Sequence, residues 1–81
     1  MRATVLLFAS VADAVGSRRL EVPLYEGDSV ASVRDRLVSD YPALAKFVPN
    51  LMYAVDEAYA KESDAVTDGA TLALIPPVSG G

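Results

Sequence analysis

The residues best suited to chemistry stand at the end of the sequence, which finishes with Gly80-Gly81. Glycine has no Cβ, so a Gly-Gly end can pass along a narrow channel into the active site of another protein and adopt backbone conformations closed to other residues. A free carboxylate is a poor electrophile and must first become an acyl-adenylate or an equivalent, which requires ATP. The sequence has no glycine-rich phosphate loop, so a separate enzyme must bind that ATP. We therefore expect the terminal acyl group of Gly81 to react.

The segment before the two glycines favours an extended exit from the folded body. Pro76-Pro77 prefers a polyproline-like backbone, and Val78-Ser79-Gly80-Gly81 offers almost nothing that could pack. We therefore divide the chain into a folded domain over residues 1–75 and a flexible, extended tail over residues 76–81. The residues expected to thread this tail into a partner are Pro76, Pro77, Val78, Ser79 and Gly80. The alternative is an ordinary loose terminus without a function.

Composition excludes several other kinds of function. The chain has 81 residues, enough for one small domain, and its net charge of −4 has the wrong sign for a nucleic-acid partner. It contains neither cysteine nor histidine, so we expect no metal site of the usual kind, no thiol nucleophile and no His-dependent nucleophilic mechanism. ATP is expected to be used by the activating enzyme, and no cofactor is expected to be bound by this chain. No apolar run approaches the ~20 residues that cross a bilayer, and the N-terminal run is short for a signal peptide. We expect no membrane partner and a cytoplasmic location.

The first half of the sequence predicts two strands and the main helix. Thr4 to Ala9 is apolar and predicts a central strand buried on both faces, whereas Leu20 to Leu24 alternates and contains Pro23, which is typical of an edge strand. Asp28 or Ser29 is expected to cap a helix that Pro42 ends. The apolar stripe of this helix consists of Val30, Val33, Leu37, Val38 and Tyr41. The opposite face, interpreted as solvent-exposed, carries Arg34, Asp35, Arg36 and Asp40.

Shorter elements complete the predicted fold. Ser10 is expected to cap a brief helix that ends at Gly16. Leu51 to Val55, a segment around Tyr59, and Thr71 to Ile75 are predicted strands. The first and last strands are the most apolar and are expected to lie side by side, because neither could safely remain an exposed edge. The order of elements predicts an α+β fold of the β-grasp (ubiquitin-like) class, with a mixed sheet packed on one main helix.

The C-terminal segment also resembles a known family. Leu74-Ile75-Pro76-Pro77-Val78-Ser79-Gly80-Gly81, preceded by Thr67-Asp68-Gly69, is similar to the end of the small sulfur-carrier subunits of molybdopterin synthase. The similarity includes Val5-Leu6-Leu7-Phe8-Ala9 and Val15-Gly16. It implies that an enzyme related to ubiquitin activators uses ATP to adenylate the tail, and that a desulfurase or a rhodanese supplies the sulfur. Gly81 would become a thiocarboxylate and enter the large subunit.

The resemblance implies a specific reaction and assembly. Two sulfur transfers would convert cyclic pyranopterin monophosphate into the dithiolene of molybdopterin. The catalytic side chains would belong to the large subunit, so this chain would have no independent catalytic site, and the complex would be a heterotetramer. The family often carries an Arg-Glu pair where this chain has Ala12-Asp13, so a contact made by that pair would be absent.

A docking face is needed in addition to the tail. Ordering four tail residues costs about 4–8 kcal/mol, whereas burying a large apolar side chain contributes about 1.5–3 kcal/mol. The family pattern places Phe8, Tyr59 and Ile75 in this face. Phe8 and Ile75 could equally be core residues. Tyr59 lies between Glu57 and Lys61 in a polar segment and is expected to be exposed.

Other functions stay open at this point. A thiazole-forming sulfur carrier would share the fold and the terminal glycines, although such proteins are usually shorter and lack the Pro-Pro-Val approach. A ubiquitin-like modifier would attach Gly81 to lysines of target proteins. A protein-binding module could leave the tail unused. The acidic residues Asp56-Glu57 and Asp64 are interpreted as solvated turn charges and not as a general acid and base.

Overall fold

A five-stranded mixed sheet forms the framework of the computed structural model, which describes residues 1–77. The strands are β1 (Arg2–Leu7), β2 (Arg19–Pro23), β3 (Met52–Val55), β4 (Ala58–Ala60) and β5 (Thr71–Ile75). The helices are α1 (Ala9–Val15), α2 (Val30–Asp40) and a 3₁₀ helix (Pro42–Asn50). The strand order is β2-β1-β5-β3-β4, in which the β1–β5 pair is parallel and the other pairs are antiparallel. The predicted β-grasp fold is confirmed.

The two central strands come from opposite ends of the described chain. Val5 lies opposite Leu72, and Leu7 lies opposite Leu74. All four side chains are buried, which confirms the predicted pairing of the first and last strands. Their burial stabilises the domain, because the helices cover them on the same face of the sheet.

The prediction that the first strand is buried on both faces was wrong. β1 runs from Arg2 to Leu7, and its buried residues alternate with exposed or half-buried ones. The helices pack on one face of the sheet, where the core forms, so alternate side chains of β1 point to an opposite face that no helix in residues 1–77 covers. The members of the buried core are Ala3, Val5, Leu7, Val11, Leu24, Val30, Val33, Leu37, Leu44, Tyr53, Val66, Ala70, Leu72 and Leu74.

The N-terminus of α2 is fixed by a reciprocal pair of hydrogen bonds. Ser29 Oγ accepts from the Ser32 N–H at 3.2 Å, and Ser32 Oγ accepts from the Ser29 N–H at 2.8 Å. This capping box confirms Ser29 as the cap. Asp28 has a different role: its carboxylate accepts from the Tyr25 N–H at 2.8 Å and from both Nη atoms of Arg36 at 2.8 and 2.6 Å.

Two predictions about the helices need correction. Phe8, not Ser10, is the N-cap of α1, and it makes no side-chain capping bond. Gly16 ends that helix with φ of +85°, as predicted, because glycine enters the left-handed region without a Cβ clash. Arg34, expected on the solvated face of α2, is buried, since its guanidinium finds partners across the fold.

The 3₁₀ helix over Pro42–Asn50 was not predicted. It begins directly after α2 and buries Leu44 against the core. A helix is recognised in a sequence by apolar residues that recur at a regular spacing, and the two prolines within these nine residues interrupt that spacing. None of the helices in residues 1–77 is long and apolar enough to cross a bilayer.

Candidate functional site

The strand registers assemble an apolar surface on the uncovered face of the sheet. Leu6 lies opposite Ala73, Ala73 opposite Ala54, and Ala54 opposite Tyr59. Residues paired in this way point to the same face, so the row crosses four strands. The two alanines form a shallow floor between the larger side chains of Leu6 and Tyr59.

A second row lies nearer the C-terminal end of β5. Met52 lies opposite Ile75. Leu7 is paired with Leu74, and the backbone of Phe8 is extended (φ −120°, ψ 147°), so Phe8 continues on the uncovered face beside Ile75. We call the two rows together the open-face patch. Its members are Leu6, Phe8, Met52, Ala54, Tyr59, Ala73 and Ile75.

The three side chains predicted for partner binding all lie in this patch. Tyr59 is 78% exposed and Phe8 is 45% exposed, whereas Ile75 is half-buried. Phe8 is therefore not a core residue, and the expected exposure of Tyr59 is observed. Met52, at 46% exposed, was missed because its pairing with Ile75 is visible only once the strand register is known. The role of the patch in binding stays a prediction.

The patch lies at the base of the predicted tail. Ile75 ends β5 and belongs to the patch, Pro76 is buried, and Pro77 is exposed. The division of the chain into a domain over residues 1–75 and a tail over residues 76–81 stays a prediction. Val78, Ser79, Gly80 and Gly81, which carry the predicted threading and acyl chemistry, lie outside the described residues.

Tyr59 stands between two shallow depressions with acidic residues in their walls. One is lined by Ala54, Glu57, Tyr59 and Ile75. The other is lined by Leu51, Met52, Tyr53, Tyr59, Ala60, Lys61 and Glu62. An exposed aromatic side chain in an apolar patch with a charged rim is typical of a protein-binding surface.

The edge of the sheet at β2 is protected against strand addition. The hydrogen bonds of the ladder with β1 leave the backbone groups of Arg19, Glu21 and Pro23 pointing outward. Ser17 Oγ accepts from the Arg19 N–H at 3.3 Å and donates to the Arg19 carbonyl at 2.8 Å. Pro23 has no N–H, and its carbonyl accepts from Arg36 Nη2 at 3.3 Å. A partner therefore finds the apolar face more accessible than this edge.

Asp28, Arg34 and Arg36 make the hydrogen bonds and ion pairs that connect α2 to the rest of the fold. No group of three or more Asp, Glu, His or Cys within residues 1–77 is arranged to hold a metal ion. Hydrogen bonding from Arg36 holds the pKa of the Asp28 carboxyl well below its usual range, against the opposing effect of burial. A carboxylate held in its charged form by a neighbouring arginine is a poor general acid or base near neutral pH.

Solved structures share this architecture over their full length. SAMP1 (small archaeal modifier protein 1) from Haloferax volcanii matches with a TM-score of 0.89 at 30% sequence identity, covering 100% of both chains. The complex of subunits 1 and 2 of molybdopterin-converting factor from Helicobacter pylori contains a chain that matches with a TM-score of 0.71 at 17% identity, again over 100% of both chains. At that identity the second match shows a common fold alone.

Sequence relatives extend the agreement beyond the fold. The model of the ThiS family matches residues 5–81. The molybdopterin synthase sulfur carrier subunit of Caenorhabditis elegans is 34% identical, over 95% of this chain and 94% of the relative. The Mycobacterium tuberculosis subunit of the same name is 33% identical, over 100% of this chain and 99% of the relative. The chain therefore belongs to the ThiS family and is homologous to the sulfur carrier subunits of molybdopterin synthase.

Proposed function

We propose that this chain is the sulfur carrier subunit of molybdopterin synthase and that Gly81 carries the sulfur as a thiocarboxylate. The observation that carries the proposal is the position of the open-face patch at the end of β5, the strand that leads into the Gly80-Gly81 segment. A partner that covers the patch also meets the start of the tail. The cytoplasmic location expected from the sequence is part of this proposal.

The proposed cycle begins with activation of the tail. An adenylating enzyme joins the Gly81 carboxylate to the adenylyl group of ATP and releases pyrophosphate. The terminal sulfur of a persulfide on a desulfurase or a rhodanese then displaces AMP and forms an acyl disulfide. A thiol cleaves the S–S bond of this intermediate, which releases the thiocarboxylate and leaves a disulfide between the thiol and the sulfur donor. ATP is bound by the activating enzyme, so this chain needs no cofactor of its own.

The tail, which now ends in a thiocarboxylate, enters the active site of the large subunit. Two successive transfers place sulfur on cyclic pyranopterin monophosphate and build the molybdopterin dithiolene. Water cleaves the C–S bond after each transfer and restores the Gly81 carboxylate, and the tail then leaves and is converted to the thiocarboxylate again. The large subunit supplies the catalytic side chains, and two copies of each subunit form the expected heterotetramer.

The open-face patch can offset the free energy required to order the tail. Fixing four tail residues costs about 4–8 kcal/mol. Phe8, Met52 and Tyr59 are exposed in the free chain, and burying side chains of this size contributes about 1.5–3 kcal/mol each. Contact through the patch therefore supports tail insertion, which the tail would not sustain alone.

A second candidate function is protein modification. It is favoured by the full-length match to SAMP1, whose full name describes a modifier protein. In this function Gly81 would form an amide bond with the lysine side chain of a target. Both functions begin with adenylation, so they differ in the final acceptor of the acyl group.

Reconstitution distinguishes the candidates. The full chain is combined with the large subunit, the adenylating enzyme, ATP, a sulfur source and cyclic pyranopterin monophosphate, and dithiolene formation is measured. We expect formation with the wild-type chain and none with a Gly81 deletion. Dithiolene formation at the normal rate by a chain with a bulky residue added after Gly81 would contradict the proposal. High-mass adducts of an N-terminally tagged chain on lysines would favour the modifier function.

A further inference from the structure

We infer that Arg34 and Glu62 are positioning residues for the open-face patch: their ion pair, on the helix side of the sheet, fixes the strand that presents Tyr59 on the other side. The binding part of this inference rests on the proposed function. Its structural part concerns the free chain and can be tested without a partner.

β4 needs support from outside the sheet. It has three residues, lies at the end of the strand order and pairs with β3. Tyr59, at its centre, is 78% exposed, so its side chain anchors the strand poorly. The turn before it places Asp56 (φ 49°) and Glu57 (φ 72°) in the left-handed region, which is unfavourable for residues with a Cβ. The position of β4 therefore depends on the segment that follows it.

That segment is attached to the N-terminus of α2. The Val30 N–H donates to the Asp64 carbonyl and the Ala31 N–H donates to the Glu62 carbonyl, both at 2.9 Å. The first amides of a helix have no partner within the helix, so the loop after β4 satisfies two of them. The Val66 N–H also donates to the Asp28 carbonyl at 3.0 Å.

Arg34 connects this loop to the neighbouring strand. Its Nη1 lies 3.1 Å from Glu62 Oε1 and 3.2 Å from the hydroxyl oxygen of Tyr53. Tyr53 is paired in register with Ala60, the last residue of β4. The guanidinium of Arg34 therefore binds Tyr53 on β3 and also Glu62, which follows β4 by two residues. These two contacts together fix the end of β4 against β3.

The ion pair is better suited to fixing geometry than to adding stability. The Glu62 side chain is 60% exposed, and ion pairs with an exposed partner contribute little to the free energy of unfolding. Arg34, by contrast, is 9% exposed, and its fork of donors defines the relative position of two acceptors. Loss of the link should loosen β4 while the central strands stay folded.

Amide hydrogen exchange of the free full-length chain tests the structural part. In Arg34→Lys and Glu62→Gln we expect exchange at Ala58 and Ala60 to become about threefold faster, because β4 opens more often, with no greater increase at Leu72. Asp35→Asn is the matched control: Asp35 also binds Arg34, at 3.0 Å, but does not belong to the β4 loop. Unchanged exchange at Ala60 in both variants would overturn the inference.

Titration of the same chains with the large subunit tests the binding part. We expect Arg34→Lys, which lies outside the patch, to bind the large subunit about three- to tenfold more weakly than the wild type. The control Asp35→Asn should bind with unchanged affinity. In dithiolene formation, the apparent KM for the carrier should rise while kcat stays constant, because docking and not sulfur transfer is affected.

Comparison with Tyr59→Asp separates the two proposals. If Tyr59→Asp weakens binding but Arg34→Lys and Glu62→Gln do not, Arg34 and Glu62 have no positioning role in binding. The proposal that the open-face patch contacts the large subunit would then still hold. If Tyr59→Asp leaves the affinity unchanged, the docking role of the patch fails, and the positioning of β4 is judged by hydrogen exchange alone.

Discussion

Arg34 Nη1 on α2 lies 3.2 Å from the hydroxyl oxygen of Tyr53 on β3, so a charged side chain is hydrogen-bonded to a core strand inside the fold. Tyr53 is 5% exposed, and within residues 1–77 no buried side-chain nitrogen or oxygen lacks a hydrogen-bond partner. Among the contacts of Arg34, this hydrogen bond has the largest effect on the pKa of the guanidinium, which it raises above its already high usual value. Arg34 is therefore charged at neutral pH.

Tyr53→Phe tests that contact. The substitution leaves the ring in the core but removes the oxygen that accepts from Arg34, and hydrogen bonds to charged groups contribute about 1.5–3 kcal/mol. We expect the free energy of unfolding, measured by urea denaturation, to fall by about 1–2 kcal/mol because Arg34 keeps its two carboxylate partners. Tyr59→Phe, at an exposed position, should cause no loss; equal losses in both variants would contradict this account.

Leu74 and Ile75 are neighbours in β5 that face opposite sides of the sheet. Leu74 is fully buried, and Leu74→Ala should lower the free energy of unfolding by about 2–5 kcal/mol because it leaves a cavity. Ile75→Ala should cost about 1 kcal/mol or less, since the side chain is half-buried in the open-face patch. Urea denaturation measures both, and titration with the large subunit should show weaker binding for Ile75→Ala. A greater loss of stability at Ile75 would place it in the core.

The contact between Asp28 and Arg36 is expected to make the stability of the fold depend on pH. Arg36 lowers its pKa in the folded state, so the carboxylate stabilises the protein above the pKa of the unfolded chain, near 4, and this contribution is lost progressively as the pH falls below that value. Asp28→Asn should lower the free energy of unfolding by about 2 kcal/mol at neutral pH. The difference from the wild type should shrink in urea denaturations performed at increasingly acidic pH. A difference that is constant with pH would contradict the prediction.

Glu57 occupies the second position of the turn between β3 and β4 with φ of 72°. Glycine enters this region without a Cβ clash, so Glu57→Gly should raise the free energy of unfolding by about 0.5–1 kcal/mol, less the entropy that glycine adds to the unfolded chain. Thermal unfolding measures the change. Glu57→Ala keeps the Cβ and is the control; an equal gain with alanine would show that the acidic charge and not the backbone conformation is unfavourable.

Most of the fold could be predicted because its elements have regular local patterns. β5 was predicted at Thr71–Ile75, where the structure has it, and the stripe of Val30, Val33 and Leu37 identified the buried face of α2. Arg34 could not be placed from sequence, since a charged residue beside Asp35 and Arg36 normally lies in solvent. Its burial depends on Tyr53 and Glu62, which tertiary folding brings to it from distant positions.

The candidate site was partly predictable for a similar reason. Tyr59 could be placed at the surface from its polar neighbours, and Phe8 and Ile75 came from the family resemblance. Leu6 and Met52 join the patch through strand pairing, which a single sequence does not specify residue by residue. The Gly80-Gly81 segment was recognisable because its chemistry depends on the absence of side chains and not on the fold.

Intact-mass spectrometry tests the central claim most directly. The full chain is expressed with its adenylating enzyme and a sulfur source, and its mass is compared with that of the chain expressed alone. The account predicts an increase equal to the replacement of one oxygen by one sulfur, located by fragmentation at Gly81 and absent from a chain that lacks Gly81. An unchanged mass of the intact chain, under conditions in which the enzyme consumes ATP with it, would contradict the role of Gly81 as a sulfur carrier.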